Sequence, residues 1–142
     1  MKKLFLLADD DNDDAELFGE ALTELTPPVD FYRVENGQAM FEFLGSAQNR
    51  KPDIIFLDLN MPEISGWQCL SKLKNNPDYK DIPVIMYSTS SVARDKEMAI
   101  TSGARGFLTK PDNFRTLVKI LDNIAHAESA NLQKVLQEMA VH

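Results

Sequence analysis

The strongest constraint on the fold is a stretch of four apolar residues that runs straight into an acid. Ile54, Ile55, Phe56 and Leu57 lead to Asp58, with Leu59, Asn60, Met61, Pro62 and Gly66 behind it. A run that short and unbroken reads as a strand buried on both faces. Pro62 and Gly66 stop it, so Asp58 is delivered at the strand's carboxyl end. In open α/β sheets that edge is where ligands bind.

The rest of the chain alternates in the same way. Lys3 to Ala8 reads as a strand, and Leu17, Phe18, Ala21, Leu22 and Leu25 then recur on one helical face until Pro27 and Pro28 end it. Phe31 to Val34 is a weaker strand. Asn36 and Gly37 turn the chain into a second helical stripe of Met40, Phe43, Leu44 and Ala47, and Trp67, Leu70 and Leu73 mark a third. Ile82 to Tyr87 is a fourth apolar run, closed by Ser88, Thr89, Ser90 and Ser91, hydroxyl residues suited to a strand end and to the N-cap of the next helix. That helix runs from Arg94 to Thr101. Gly106 to Thr109 is a fifth strand, and Phe114, Leu117, Val118, Leu121 and Ala125 give a clear amphipathic helix. Strands and helices alternating at these lengths imply a mostly parallel sheet with helices on both faces.

At 142 residues and 44% hydrophobic, the chain is long enough for one domain with a full core. A formal net charge of -7, with no long basic run, argues against nucleic-acid or anionic-membrane binding. Cys69 is the single cysteine, which excludes an intramolecular disulfide. The amino end is too short in apolar residues for a signal peptide or a membrane span, so a cytoplasmic location is expected.

A parallel sheet collects whatever follows each strand at one end. Here that gathers Asp9, Asp10 and Asp11 after the first strand, Asp58 after the third, Ser88 after the fourth and Lys110 after the fifth. Clustered carboxylates repel one another unless a hard cation neutralises them, and Mg2+ suits oxygen ligands and shares its shell readily with a phosphoryl group. An ammonium at Lys110 pairs with a carboxylate or a phosphoryl oxygen, and a hydroxyl at Ser88 donates to the same oxygen. In that company Asp58 is suited to attack phosphorus and become an aspartyl phosphate.

These residues resemble the receiver domain of two-component response regulators. The resemblance rests on Asp9 and Asp10 after an apolar strand, the D-x-N-M-P-x-x-x-G run from Asp58 to Gly66, Ser88 after "PVIMY", and Lys110 followed by Pro111. It covers residues 3 to about 125, with the intervals between Asp58, Ser88 and Lys110 fitting the family's layout. It implies a flavodoxin-like, doubly wound, five-stranded parallel sheet of order 2-1-3-4-5.

By the same resemblance, Asp58 is the phosphoacceptor and Asp10 a direct ligand of Mg2+. Asp9 acts on the ion largely through water, and Asn60 through its backbone carbonyl. Lys110 binds the phosphoryl group, Ser88 swings toward it, and Phe107 turns inward as a packing switch. Pro111 follows a cis peptide. Asp11 makes a third consecutive acid, and Asp9 and Asp10 are preferred because they directly follow the strand. The implied protein is a stand-alone receiver, phosphorylated by a histidine kinase or histidine phosphotransfer protein and read by a downstream protein. It catalyses only its own phosphorylation and dephosphorylation.

Two other readings fit parts of the pattern. A phosphatase working through an aspartyl phosphate usually has a second acid two residues beyond the nucleophile, where this chain has Asn60. A flavodoxin-like nucleotide binder wants a hydroxyl- and glycine-rich loop after the first strand, where three aspartates would repel phosphate. Asp13 and Asp14 read as charge complements to the first helix.

The chain divides into a receiver domain, 1–125, and a C-terminal helical extension, 126–142. In the extension, Val118, Ala125, Leu132 and Met139 continue one seven-residue row, with Leu121 and Val135 in another. Two outcomes stay open: a helix that breaks near Ser129 to Asn131 and folds back onto its own domain, or a longer helix that pairs with a partner or with a second copy as a homodimer.

Overall fold

The computed structural model describes residues 2–140. Residues 141 and 142, at the end of the extension, lie outside the described residues, as does the side chain of Met139. The elements are β1 (Leu4–Ala8), α1 (Asn12–Thr23), β2 (Asp30–Val34), α2 (Gly37–Gly45), β3 (Ile54–Leu57), α3 (Gly66–Lys74), β4 (Val84–Ser88), α4 (Ala93–Thr101), β5 (Gly106–Thr109), α5 (Phe114–His126) and α6 (Leu132–Ala140). All strand pairs are parallel and the sheet order is β2-β1-β3-β4-β5. This is the doubly wound, flavodoxin-like arrangement expected from the alternation.

The strand residues divide by parity between two cores, as a pleat of period two requires. Leu6, Ala8, Ile55, Leu57, Val84 and Met86 face one side with α2, α3 and Ala99 of α4. Phe5, Leu7, Phe56, Ile85 and Tyr87 face the other with α1 and α5. On that second face Phe18 of α1 is fully buried, its ring 4.9 Å from Phe56 and 5.6 Å from Tyr87 in edge-on contacts. Aromatic pairs at this spacing add to their area burial, so α1 is anchored directly beneath the strand ends that matter.

Local chemistry explains the boundaries. Asp11, Asn36 and Asn113 cap α1, α2 and α5 by accepting a backbone N–H three residues on, and Ser65 forms a full capping box with Gln68 at α3. The expected hydroxyl cap of α4 is not formed; its N-cap is Val92, with no side-chain bond. Two edges of the expected elements also move. β4 starts at Val84 rather than Ile82, because Pro83 has no N–H to give, although its carbonyl accepts from Ile55. α2 ends at Gly45, before Ala47. On α1 the buried stripe is Ala15, Phe18, Ala21 and Leu22, while Leu17 is exposed.

The extension breaks rather than running on. A 3-10 turn over Ser129–Asn131 separates α5 from α6, and α6 packs back on β5 and α5. Leu132 and Leu136 are buried in the second core. Gly106 of β5 makes room for this, because a Cβ there would collide with Leu136. Lys3 secures the turn by donating to the carbonyls of Ala125 (2.6 Å) and Ala127 (3.0 Å).

Candidate functional site

The ladder hydrogen bonds run one residue past the strands, and this places the site. Asp9 N donates to Val34 O at 3.1 Å, Asp58 N to Ala8 O at 2.9 Å, and Lys110 N to Ser88 O at 2.6 Å. Each side chain is thus fixed by sheet backbone rather than by a free loop. Asp9 is fully buried, and Asp58 and Ser88 nearly so. Asp10 and Asn60 are exposed at the rim.

Behind Asp58 the chain turns on Glu63, whose φ of 67° is left-handed, and comes back so that Gly66 N donates to Leu59 O at 2.9 Å. A Cβ at Gly66 would overlap the Asp58 carbonyl oxygen and come within 2.8 Å of Leu59 Cα. Only glycine lets the start of α3 lie this close to the acid. Asp58 Oδ1 faces Asn60 N at a long 3.4 Å.

Carboxylate oxygens of Asp9, Asp10 and Asp58 can all lie within 4.8 Å of one another. Such proximity raises proton affinity where water is excluded. Asp58 is pushed up to about 7, first by burial and then by the charge of Asp9, with Lys110 pulling the other way. Asp9 Oδ1 accepts from Asp11 N at 2.9 Å, while its buried Oδ2 has no aligned hydrogen-bond donor. Lys110 Nζ is only 2.9 Å from that Oδ2, so the contact is an ion pair by distance without hydrogen-bond geometry. An all-oxygen donor set of three crowded carboxylates, one of them holding its proton more tightly than usual, fits a hard divalent cation.

Lys110 Nζ donates to Asp14 Oδ2 at 2.8 Å and stands 4.0 Å from Asp58 Oδ2. It also lies 5.3 Å from the centroid of the Tyr87 ring, which offers its face to the cation. Burial would lower the lysine's proton affinity, but the hydrogen bond to Asp14 and the negative charges of Asp9 and Asp58 outweigh it and hold the ammonium above its ordinary range. The cis bond expected before Pro111 is not found; among the described residues the cis peptide bond is Thr26–Pro27. The β-ladder bond to Ser88 and the two acids already aim Lys110 inward.

Ser88 Oγ accepts from Ser90 N at 3.2 Å, Ser90 Oγ donates to Asp95 Oδ2 at 2.7 Å, and Thr109 Oγ1 donates to Ser90 O at 2.8 Å. The β4–α4 loop is therefore tied both to α4 and to β5. Phe107 is set apart from the acids: half-buried, it packs on the first core and lines a groove with Ile100 of α4 and Leu136 of α6.

Two participants escaped the sequence reading. Asp14 is not merely a charge complement to α1, since it holds Lys110 directly. The signal was its place three residues after the N-cap Asp11, because helical side chains lean toward the helix N-terminus and so back over the sheet edge. Arg33 of β2 donates Nε to the Asp9 carbonyl at 3.0 Å, a contact across strands that only the pairing register reveals.

The family model described as "Response regulator receiver domain" matches residues 5–122. The chain belongs to the response-regulator receiver family. Response regulator Rcp1 of Synechocystis is 33% identical to this receiver over 126 residues, covering 86% of each chain. The crystal structure of the Mn(2+)-bound form of Rcp1 superposes with a TM-score of 0.75 at 32% identity, over 86% of this chain and 91% of that one. The phosphorylated cyanobacterial phytochrome response regulator RcpA gives 0.78 at 32% identity, over 87% and 91%. This receiver is accordingly a two-component signalling phosphoacceptor. No helix among its described residues is long and apolar enough to cross a membrane.

Proposed function

We propose that Asp58 takes a phosphoryl group from a phosphohistidine on a histidine kinase or histidine phosphotransfer protein. The observation that carries this is Asp58 itself: a buried carboxylate at a strand end, within 4.8 Å of two further acids and 4.0 Å from a lysine ammonium. In the transfer, an Asp58 Oδ forms the new O–P bond while the N–P bond to the donor imidazole breaks, and the released imidazole takes up a proton from solvent. Lys110 pairs with a phosphoryl oxygen, and the Ser88 hydroxyl turns from Ser90 N to donate to another. Phe107 follows by repacking toward the space Ser88 leaves.

Asp10 and Asp58, with the backbone carbonyl of Asn60, are the residues that would hold Mg2+, and Asp9 would act on it through water. Bound there, the ion supplies positive charge against the crowded carboxylates and the incoming phosphoryl oxygens. The Mn2+ form of Rcp1 and the phosphorylated form of RcpA support this reading by likeness. The product then signals by protein binding to a downstream target in the cytoplasm. We take residues 1–125 as the unit that carries this chemistry and 126–142 as its appended helix.

Incubation with Mg2+ and acetyl phosphate is expected to add the mass of one phosphoryl group, and Asp58→Asn to prevent it. Labelling that survives Asp58→Asn overturns the assignment.

A further inference from the structure

Lys110 has more acids than one ammonium serves well. Its Nζ contacts Asp14 Oδ2 at 2.8 Å and Asp9 Oδ2 at 2.9 Å, yet lies 4.0 Å from Asp58 Oδ2. Of the three, only the Asp14 contact has hydrogen-bond geometry. A phosphoryl oxygen on Asp58 therefore finds the lysine already engaged by two other acids.

The two engaged acids are not equivalent. The Asp9 side chain is fully buried, so its charge has no water to fall back on. The Asp14 side chain is 31% exposed, standing on the first turn of α1 where solvent reaches it. Breaking the Asp14 contact exchanges a protein partner for water, whereas breaking the Asp9 contact strands a buried charge. Asp14 is thus the partner that Lys110 can release.

We infer that Asp14 is a positioning residue that holds Lys110 away from Asp58 in the resting protein, and that its release of the ammonium is a step in phosphoryl acceptance. Asp14 touches neither donor nor phosphorus; it acts by competing with the phosphoryl oxygens for the lysine ammonium. No covalent bond is made or broken in this exchange. The inference rests on the proposed role of Asp58 and Lys110, and adds a resting state in which the lysine is occupied.

The test compares rates of phosphorylation by acetyl phosphate in saturating Mg2+ for the wild type, Asp14→Asn, Asp14→Glu and Asp13→Asn. Asp13 is exposed on the same turn, so Asp13→Asn makes the same change in net charge and serves as the control for general repulsion of an anionic donor. Asp14→Asn is expected to raise the rate about tenfold over the Asp13→Asn control, the scale of one charge-assisted hydrogen bond. Asp14→Glu keeps a competing carboxylate and is expected to restore most of the wild-type rate. In a Lys110→Ala background, Asp14→Asn is expected to have no effect. A readout free of turnover is the Lys110 ammonium followed by NMR at fixed pH, whose chemical shift is expected to change in Asp14→Asn and to stay in place in Asp13→Asn.

Asp14→Asn slower than, or equal to, Asp13→Asn overturns the inference, as does an acceleration that persists without Lys110. A wild type that takes no label on Asp58 overturns the proposed function instead, so the two failures are told apart.

Discussion

Gly66 lies against the backbone of Asp58 so tightly that the smallest side chain has no room: a Cβ would overlap the Asp58 carbonyl oxygen and press on Leu59 Cα. The site acid and the first residue of α3 are thus one packed unit, although the chain travels through a turn to join them. Gly66→Ala must move either the helix or the acid, and neither neighbour is a flexible side-chain end. The expected cost is about 1–3 kcal/mol, the usual scale of overpacking, read as a lower urea midpoint at unchanged slope. Phosphorylation by acetyl phosphate should fall in the same variant, while a variant as stable and as reactive as the wild type contradicts the packing described.

Asp58 gives the protein a pH dependence of defined sign. Its carboxyl is raised from 3.8 to about 7 in the folded chain, so between those values the native state holds a proton that the unfolded chain has lost. The group therefore favours folding below its unfolded value, and that advantage is lost as pH rises toward 7. Asp58→Asn removes the effect. Without divalent ions, the stability of Asp58→Asn relative to wild type should grow between pH 4 and pH 8, to a ceiling on the order of 4 kcal/mol at about 1.4 kcal/mol per pKa unit. Urea titrations at several pH values check this, and parallel curves for the two proteins refute it.

Removing the ammonium strands acids instead. With Lys110→Ala the buried Asp9 carboxylate loses the ammonium 2.9 Å from it, and breaking a buried pair commonly costs about 3–5 kcal/mol. Added Mg2+ should then raise the melting temperature of Lys110→Ala more than that of the wild type, because the ion meets a more electronegative pocket. Phosphorylation should be crippled even where Mg2+ saturates. Equal shifts in the two proteins, measured by thermal denaturation, count against the charge balance.

Leu132 and Leu136 of α6 are almost fully buried against β5 and α5. Leu136→Ala is expected to destabilise the chain by about 2–4 kcal/mol, as a buried leucine does, whereas Lys134→Ala on the exposed side of α6 should change little. If α6 were instead a detached or exchanged helix, Leu136→Ala would leave the monomer's urea midpoint where it was.

Much of this was legible from residues alone, for identifiable reasons. Strand ends in a parallel sheet converge, so Asp9, Asp58, Ser88 and Lys110 could be gathered without coordinates, and the sheet order came with the resemblance they carry. What stayed hidden depends on direction rather than order. Asp14 and Asp13 are alike as letters, and only their different places around a helix of 3.6 residues per turn separate the one that meets Lys110 from the one left in water. Leu17 belongs to the apolar period of α1 yet points outward, because Ala15 and Phe18 mark the true stripe. The heptad row through Leu132 also fits either a continuous helix or a folded one; the break at Ser129–Asn131 is decided by how well Leu132 and Leu136 bury, which a period does not measure.

The folded-back helix has a further consequence at the margin of the sheet. β5 is an outermost strand, bonded on one side to β4 and offering its other row of backbone groups to whatever comes near. Such a margin invites another chain to add itself as a sixth strand, and covering it is one of the ways proteins refuse. α6 packs on this strand and is seated by the missing side chain of Gly106. Cutting the helix away would bare not only Gly106 but the apolar side chains of the second core that Leu132 and Leu136 now cover, leaving a sticky face beside an already open strand edge.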